Sequence, residues 1–125
     1  MIEQYFLVFL GGGIGAVSRY GLSGMVQRLS GSIFPIGTMS VNVLGSLFIG
    51  LTISLSDRFM VITPNIRIFL TIGILGGFTT FSTFSYETIA LMHGGEIITA
   101  GINVFVTVLC CLAGAWAGIM LGKII

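Results

Sequence analysis

Residues 76–87 read Gly-Gly-Phe-Thr-Thr-Phe-Ser-Thr-Phe-Ser-Tyr-Glu. This run combines a pair of glycines, a series of hydroxyl side chains and phenylalanines spaced three apart. The chain around it is strongly apolar, and backbone that leaves helical geometry inside a bilayer must be buried in protein or line a polar cavity. The run therefore predicts a membrane helix that is broken near residues 76–80, at a binding or permeation site.

The composition is that of an integral membrane protein. Of the 125 residues, 55% are hydrophobic and only 7% are charged, whereas about 25% of the residues in soluble domains are charged. Mean hydropathy is +1.12. A β-barrel would require short segments of alternating polarity, and the apolar runs here are continuous. The fold class is therefore predicted to be all-α.

Loop-forming residues divide the chain into apolar stretches that are each long enough to cross a bilayer. A spanning helix takes about 20 apolar residues, and the interruptions fall at 28–35, 56–65 and 93–96. Loops this short leave no room for a soluble domain. We predict a single domain over residues 1–125 with four transmembrane helices, at about 4–27, 36–56, 66–92 and 97–123.

The sequence also argues against several other classes of protein. A net charge of +1 gives no electrostatic basis for binding nucleic acid. The start Met1-Ile2-Glu3 lacks the positive region of a signal peptide, so no cleavage is expected. Cys110 and Cys111 are adjacent in a predicted helix, where their side chains diverge by about 100°. They do not imply a disulfide. The sequence shows no metal-ligand cluster, nucleophile with a base or carboxylate pair, and an enzyme is not expected.

The distribution of basic residues gives almost no preference for one orientation in the membrane. With the N-terminus inside, Arg58, Arg67 and Lys123 would lie in the cytoplasm, and Arg28 and Arg19 would lie outside. The chain can therefore insert either way, which is dual topology. Because four helices with one broken seldom enclose a site alone, we expect a second, antiparallel copy.

Glycines recur at the spacing that allows helices to approach closely. Gly11 and Gly15 form one such pair, and Gly114, Gly118 and Gly122 form two overlapping pairs. We interpret them as close helix contacts. The alternative is that glycine is simply common in membrane helices.

Uncharged polar residues form one stripe on each of two predicted helices. The members of each stripe are four residues apart and so share a face; they are Thr38, Asn42 and Ser46 in the second helix and Asn103, Thr107 and Cys111 in the fourth. Such residues either hydrogen bond between helices or face an aqueous path. Two stripes beside a broken helix favour the path, which would carry something that neutral donors can solvate.

Other side chains near the predicted break allow more than one reading. Phe81 and Phe84 are typical of ordinary packing, but their positive ring edges are also able to solvate a small anion. Arg19 either extends to the membrane interface or supplies positive potential to an anion vestibule. Glu87 is a proton carrier, a partner of Arg19 or a capping group.

Three motifs together closely resemble those of the Fluc (CrcB) family of fluoride channels. They are the run at 76–87, Gly37-Thr38 with Asn42, and Gly11-Gly12-Gly13-Ile14-Gly15 with Arg19. The resemblance covers the whole chain, including its length, its spans and its charge balance. It implies an antiparallel homodimer of dual topology in a bacterial inner membrane. Such a dimer has two pores that release fluoride passively and a structural sodium ion at its centre.

The resemblance also implies roles for individual residues. Main-chain carbonyls of Gly76 and Thr79 from each subunit hold the sodium ion. Phe81 and Phe84 form the phenylalanine box, and Asn42 is the pore asparagine. The other residues that it places along the ion path are Thr38, Ser82, Thr83, Asn103, Thr107 and Cys111. A cysteine at the last position differs from the hydroxyl often found there.

Two other classes also have four short membrane helices. A small multidrug-resistance type exporter needs a membrane-embedded carboxylate, for which Glu87 is the only candidate. A non-transporting assembly subunit would use the glycine faces, but it leaves the polar stripes unexplained.

Overall fold

The computed structural model describes residues 1–59 and 62–125, and its elements in these ranges are all helices. They are α1 (Ile2–Ser30), α2 (Ile36–Arg58), α3 (Pro64–Ile68), a π-helical segment (Phe69–Leu75), α4 (Gly76–Phe78), α5 (Phe81–His93) and α6 (Ile97–Ile124). Four helical stretches are long and apolar enough to cross a membrane, and the third of them runs over Pro64–His93. The prediction of an all-α chain with four long apolar helices is confirmed.

The four membrane stretches run over Ile2–Ser30, Ile36–Arg58, Pro64–His93 and Ile97–Ile124. The spans predicted from the sequence are about 4–27, 36–56, 66–92 and 97–123. Helix α1 ends at Ser30, and the next residue, Gly31, has a left-handed φ of 59°. Glycine adopts this conformation without steric cost, which makes it a common residue after a helix.

A single glutamine side chain holds the connection between α1 and α2. Gln27 Nε2 donates to the carbonyl oxygens of Ser32 at 2.7 Å and Phe34 at 3.2 Å. Its Oε1 accepts from the N–H of Gly37 at 3.0 Å. These three bonds fix the end of α1 against the start of α2.

The helices approach one another through glycines. A Cβ at Gly15 would overlap the carbonyl oxygen of Ile74, so α1 lies directly against the third membrane segment. A Cβ at Gly118 would overlap the carbonyl oxygen of Leu47, so α6 lies equally close to α2. The close contacts predicted from glycine spacing therefore occur within one chain.

The described chain buries few large apolar side chains. Val41, Leu75 and Phe84 are buried, whereas residues such as Phe105 and Trp116 are exposed. An apolar surface of this extent requires lipid or another protein surface to cover it. The fold is that of a multi-pass membrane protein.

Three basic residues lie at one end of the bundle. Arg58 Nη1 donates to the carbonyl of Lys123 at 2.8 Å. Arg67 forms an ion pair with Asp57 at 3.2 Å. The ends of α2, α3 and α6 therefore lie on the same side of the membrane helices.

Candidate functional site

The third membrane segment has two extended residues between α4 and α5. Thr79 has φ −94° and ψ 158°, and Thr80 has φ −154° and ψ 116°. Thr80 is also the N-cap of α5, because its Oγ1 accepts from the N–H of Thr83 at 3.1 Å. A hydroxyl at this position satisfies one of the amide groups that a helix leaves free at its start.

Asn42 of α2 binds the main chain of Thr80 at both of its polar groups. Its Oδ1 accepts from the N–H of Thr80 at 2.7 Å, and its Nδ2 donates to the carbonyl of Thr80 at 3.0 Å. The bilayer core supplies no water to backbone groups that leave a helix. The side-chain amide takes the place of that water.

These bonds draw helical donors away from two main-chain carbonyls. In a continuous helix the N–H of Thr80 would donate to the carbonyl of Gly76, but here it donates to Oδ1 of Asn42. Likewise the N–H of Thr83 would donate to the carbonyl of Thr79, but it donates to the hydroxyl oxygen of Thr80. The carbonyl oxygens of Gly76 and Thr79 are therefore left without their usual helical donors.

Arg19 of α1 also bonds to this part of the backbone. Its Nε donates to the carbonyl of Gly77 at 3.0 Å. The guanidinium therefore lies beside the extended residues and is half-buried there. Its partner is the main chain rather than Glu87.

A cavity of about 390 Å³ adjoins the extended residues. Helices α2 and α6 and the third segment supply its walls. The lining residues are Asn42, Gly45, Ser46, Ile49, Thr71, Leu75, Gly76, Thr79, Thr80, Phe81, Phe84, Thr107, Val108, Cys111 and Leu112. All of them are uncharged, and the polar ones carry amide, hydroxyl or thiol groups.

Phe81 and Phe84 form an aromatic pair at the cavity. Their ring centroids are 5.5 Å apart, and the ring planes are tilted by 43°. Phe84 is only 7% exposed, whereas Phe81 is 76% exposed. One ring is thus part of the chain's own core, and the other projects from it.

Two residues of the polar stripe on α6 line the cavity, and the third lies between packed helices. Thr107 and Cys111 line the cavity, and Cys111 carries a free thiol. Asn103 is 1% exposed and donates from Nδ2 to Oγ1 of Thr88 on α5 at 2.9 Å. At Asn103 the stripe makes an interhelical hydrogen bond.

Three other predicted path residues lie outside the cavity lining. Thr38 donates from Oγ1 to Oε1 of Glu87 at 2.8 Å, and Glu87 Oε2 is buried without a partner among the described residues. Thr83 accepts from the hydroxyl of Thr80 at 3.0 Å, and Ser82 is exposed beside it.

Sequence reasoning did not single out Gly45, Thr71 and Thr88. Gly45 lies within the Thr38–Ser46 stretch, where a Cβ would overlap the methyl group of Thr79. Thr88 follows Phe84 by one helical turn and bonds to its carbonyl at 2.8 Å. Only the four-residue spacing from Phe84 could have pointed to Thr88.

The described residues contain no group of three or more His, Cys, Asp or Glu side chains placed to hold a metal ion. The carbonyls of Gly76 and Thr79, which lack their usual helical donors, are neutral oxygens that a cation could bind.

Comparisons with known proteins match almost the whole chain. The family model described as "CrcB-like protein, Camphor Resistance (CrcB)" matches residues 6–119. A Geotalea uraniireducens protein named "Fluoride-specific ion channel FluC" is 50% identical over 119 residues, which cover 95% of this chain and 94% of the relative. A protein of the same name from Geobacter metallireducens is 51% identical to this chain, over 93% of this chain and 94% of the relative. In Coxiella burnetii the identity is 47%, over 94% of this chain and 95% of the relative.

Proposed function

Because this chain belongs to the CrcB family, we propose that it is a fluoride-specific ion channel. The family resemblance drawn from the motifs is thereby confirmed. The relatives are named as ion channels, which supports the expectation that the protein is not an enzyme.

One observation carries this function: an uncharged cavity, whose lining includes amide, hydroxyl and thiol groups, lies where the third membrane segment becomes extended. Fluoride is small and strongly hydrated, so a pore must replace its water while binding it weakly enough to release it. Amide and hydroxyl groups and ring edges meet both conditions. The path includes Asn42, Phe81, Phe84, Thr107 and Cys111, with Thr38, Ser82, Thr83 and Asn103 beside it and Arg19 supplying positive potential.

The functional unit is a homodimer of antiparallel copies. Support comes from Phe81, which lines the cavity although most of its ring is exposed in the single chain. A second copy would cover this ring and complete the cavity wall. The nearly balanced distribution of basic residues allows the two copies to insert in opposite orientations.

A structural sodium ion lies at the centre of the dimer, held by the carbonyls of Gly76 and Thr79 from each subunit. The donor set fits this ion, because hard cations prefer oxygen ligands and both carbonyls are left without helical donors. The bond from Arg19 to Gly77 occupies the carbonyl between them. The bound ion would supply a fixed positive charge that ties the two extended segments together.

We further propose that the channel resides in a bacterial inner membrane and lets cytoplasmic fluoride leave passively, which would relieve fluoride toxicity. The membrane potential, negative inside, drives an anion outward. Fluoride exit in this direction does not need to be coupled to the transport of another ion.

The test is fluoride efflux from liposomes that contain the purified protein. Vesicles loaded with potassium fluoride receive a potassium ionophore, and a fluoride electrode records the release. Matched vesicles loaded with chloride are the control. We expect rapid fluoride release and chloride release no faster than from protein-free vesicles. Equal release of both ions, or fluoride release at the protein-free rate, would overturn the function.

A further inference from the structure

Three buried polar side chains form a continuous hydrogen-bond relay between α6 and α5. Thr107 Oγ1 donates to Asn103 Oδ1 at 3.1 Å, and Asn103 Nδ2 donates to Thr88 Oγ1 at 2.9 Å. Thr88 Oγ1 in turn donates to the carbonyl of Phe84 at 2.8 Å. Their exposed fractions are 4% for Thr107, 1% for Asn103 and 7% for Thr88.

The carbonyl at the end of this relay fixes its direction. A carbonyl only accepts, so the hydroxyl hydrogen of Thr88 must point to Phe84. The same hydroxyl oxygen then accepts from Asn103, which turns the Nδ2 end of the amide towards α5. The Oδ1 end therefore faces Thr107, and Thr107 must donate to it.

This direction determines what Thr107 presents to the cavity. Thr107 is a lining residue, yet its hydroxyl hydrogen is committed to Asn103. While this bond is intact, the Thr107 hydroxyl has no hydrogen to donate to an ion in the cavity, and its remaining lone pairs would repel an anion. For Thr107 to donate to fluoride, its bond to Asn103 must break.

We propose that Asn103 is a positioning residue that weakens fluoride binding at Thr107 by competing for the same hydroxyl hydrogen. This inference rests on the proposed function. When fluoride takes the hydrogen, Oδ1 of Asn103 is left buried without a donor, which is unfavourable. The anion is therefore held less tightly at Thr107 and released faster.

Thr88→Val tests the proposal from outside the cavity. Valine removes the acceptor that fixes the amide of Asn103. Because buried N–H groups without partners are rarer than carbonyls without partners, the amide should turn its Nδ2 end to Thr107. Thr107 then accepts from Asn103 and donates freely to fluoride. Thr88→Ser keeps the hydroxyl and is the matched control.

The measurement is fluoride efflux over a series of internal fluoride concentrations, at equal amounts of dimer. For Thr88→Val we expect the half-saturating concentration to fall by about tenfold, the change expected for one buried hydrogen bond. The maximal flux should fall as well, since tighter binding slows release. Thr88→Ser should keep the wild-type half-saturating concentration. A purely structural role would lower the flux without lowering this concentration.

A double-mutant cycle identifies Thr107 as the residue through which the effect acts. In a Thr107→Val background, Thr88→Val should leave the half-saturating concentration unchanged, because the competing hydroxyl is gone. If Thr88→Val does not form dimers, Asn103→Leu replaces it, since leucine also frees the hydroxyl of Thr107. Failure of both variants to assemble would show that the relay is structural and overturn the proposal.

The outcomes separate this inference from the function on which it rests. A wild-type protein that releases no fluoride overturns the channel function, and the inference falls with it. A conducting wild type whose Thr88→Val variant has an unchanged or higher half-saturating concentration overturns the inference alone.

Discussion

The side chain of Asn42 pairs with the main chain of Thr80 through two hydrogen bonds, of 2.7 Å to its N–H and 3.0 Å to its carbonyl. This pairing resembles one rung of a β-ladder in which a side-chain amide replaces the second strand. It satisfies an extended residue between two helical segments. Asn42 also lines the cavity, so one residue shapes the extended segment and contacts the proposed ion path.

Substitutions at Asn42 should separate these two contributions. Asn42→Asp retains an acceptor for Thr80, loses the donor and presents a carboxylate that repels fluoride when ionised. Asn42→Leu loses both bonds, each worth about 0.5–1.5 kcal/mol. We expect both variants to lose fluoride flux in liposomes. Thermal stability in detergent should be highest for the wild type, lower for Asn42→Asp and lowest for Asn42→Leu. Undiminished efflux from a dimeric Asp variant would remove Asn42 from the path.

The two phenylalanines should respond differently because only Phe84 is buried in the chain. If ring edges solvate fluoride, Phe81→Ile should reduce efflux by at least about tenfold, and any loss of stability should appear as weaker dimer association rather than as unfolding of the single chain. Phe84→Ile should reduce efflux and also cost up to about 1.5 kcal/mol of stability. Phe81→Tyr keeps the ring and should be milder than Phe81→Ile. Full flux through both Ile variants, with dimers seen by size exclusion, would mean that these rings only pack.

Glycines in α1 provide a matched pair for testing helix contact. A Cβ at Gly15 would overlap the carbonyl of Ile74, whereas one at Gly13 has open space. Gly15→Ala should cost about 1–3 kcal/mol through overpacking and lower the melting temperature by several degrees. Gly13→Ala should be neutral or slightly stabilising, since alanine favours helix. Equal melting temperatures for the two variants would contradict the close packing of α1.

The sodium proposal assigns the ligand at Thr79 to its main chain. The Thr79 hydroxyl bonds back to the carbonyl of Leu75 at 2.9 Å, whereas the main-chain carbonyl of Thr79 lacks its helical donor. Thr79→Ala should therefore show the same dependence of fluoride flux on sodium as the wild type, in protein prepared with either sodium or lithium. Loss of that dependence in an intact dimer would assign the ligand to the side chain instead.

Dual topology predicts both orientations in one membrane. Reporter tags at the C-terminus of the unmodified protein should be found on both sides of the membrane, because the basic residues give little preference for one orientation. Two or three lysines added to the 57–65 connection would join Arg58, Arg67 and Lys123 at the same end. We expect this change to fix one orientation, with the added lysines in the cytoplasm. A single orientation in the unmodified protein would refute dual topology.

The sequence by itself determined the class of protein, its helical segments and its family. Continuous apolar runs of bilayer length form helices because a helix satisfies its backbone groups within its own segment, so spans beginning near Ile36 and Ile97 could be predicted. The motif at 76–87 gave the family, since its residues are contiguous. None of these inferences depends on how one helix is rotated against another.

Only the tertiary structure decided which polar side chains meet. The periodicity of Thr38 and Asn42 places them on one face, yet Thr38 bonds to Glu87 and Asn42 bonds to Thr80. Asn103 and Thr107 also share a face, yet only Thr107 reaches the cavity. A helical period fixes the angle between residues of one helix, but the depth and rotation of the neighbouring helix decide which of them is bonded and which is open. Glycine contacts such as Gly15 with Ile74 and Gly118 with Leu47 set that depth and rotation.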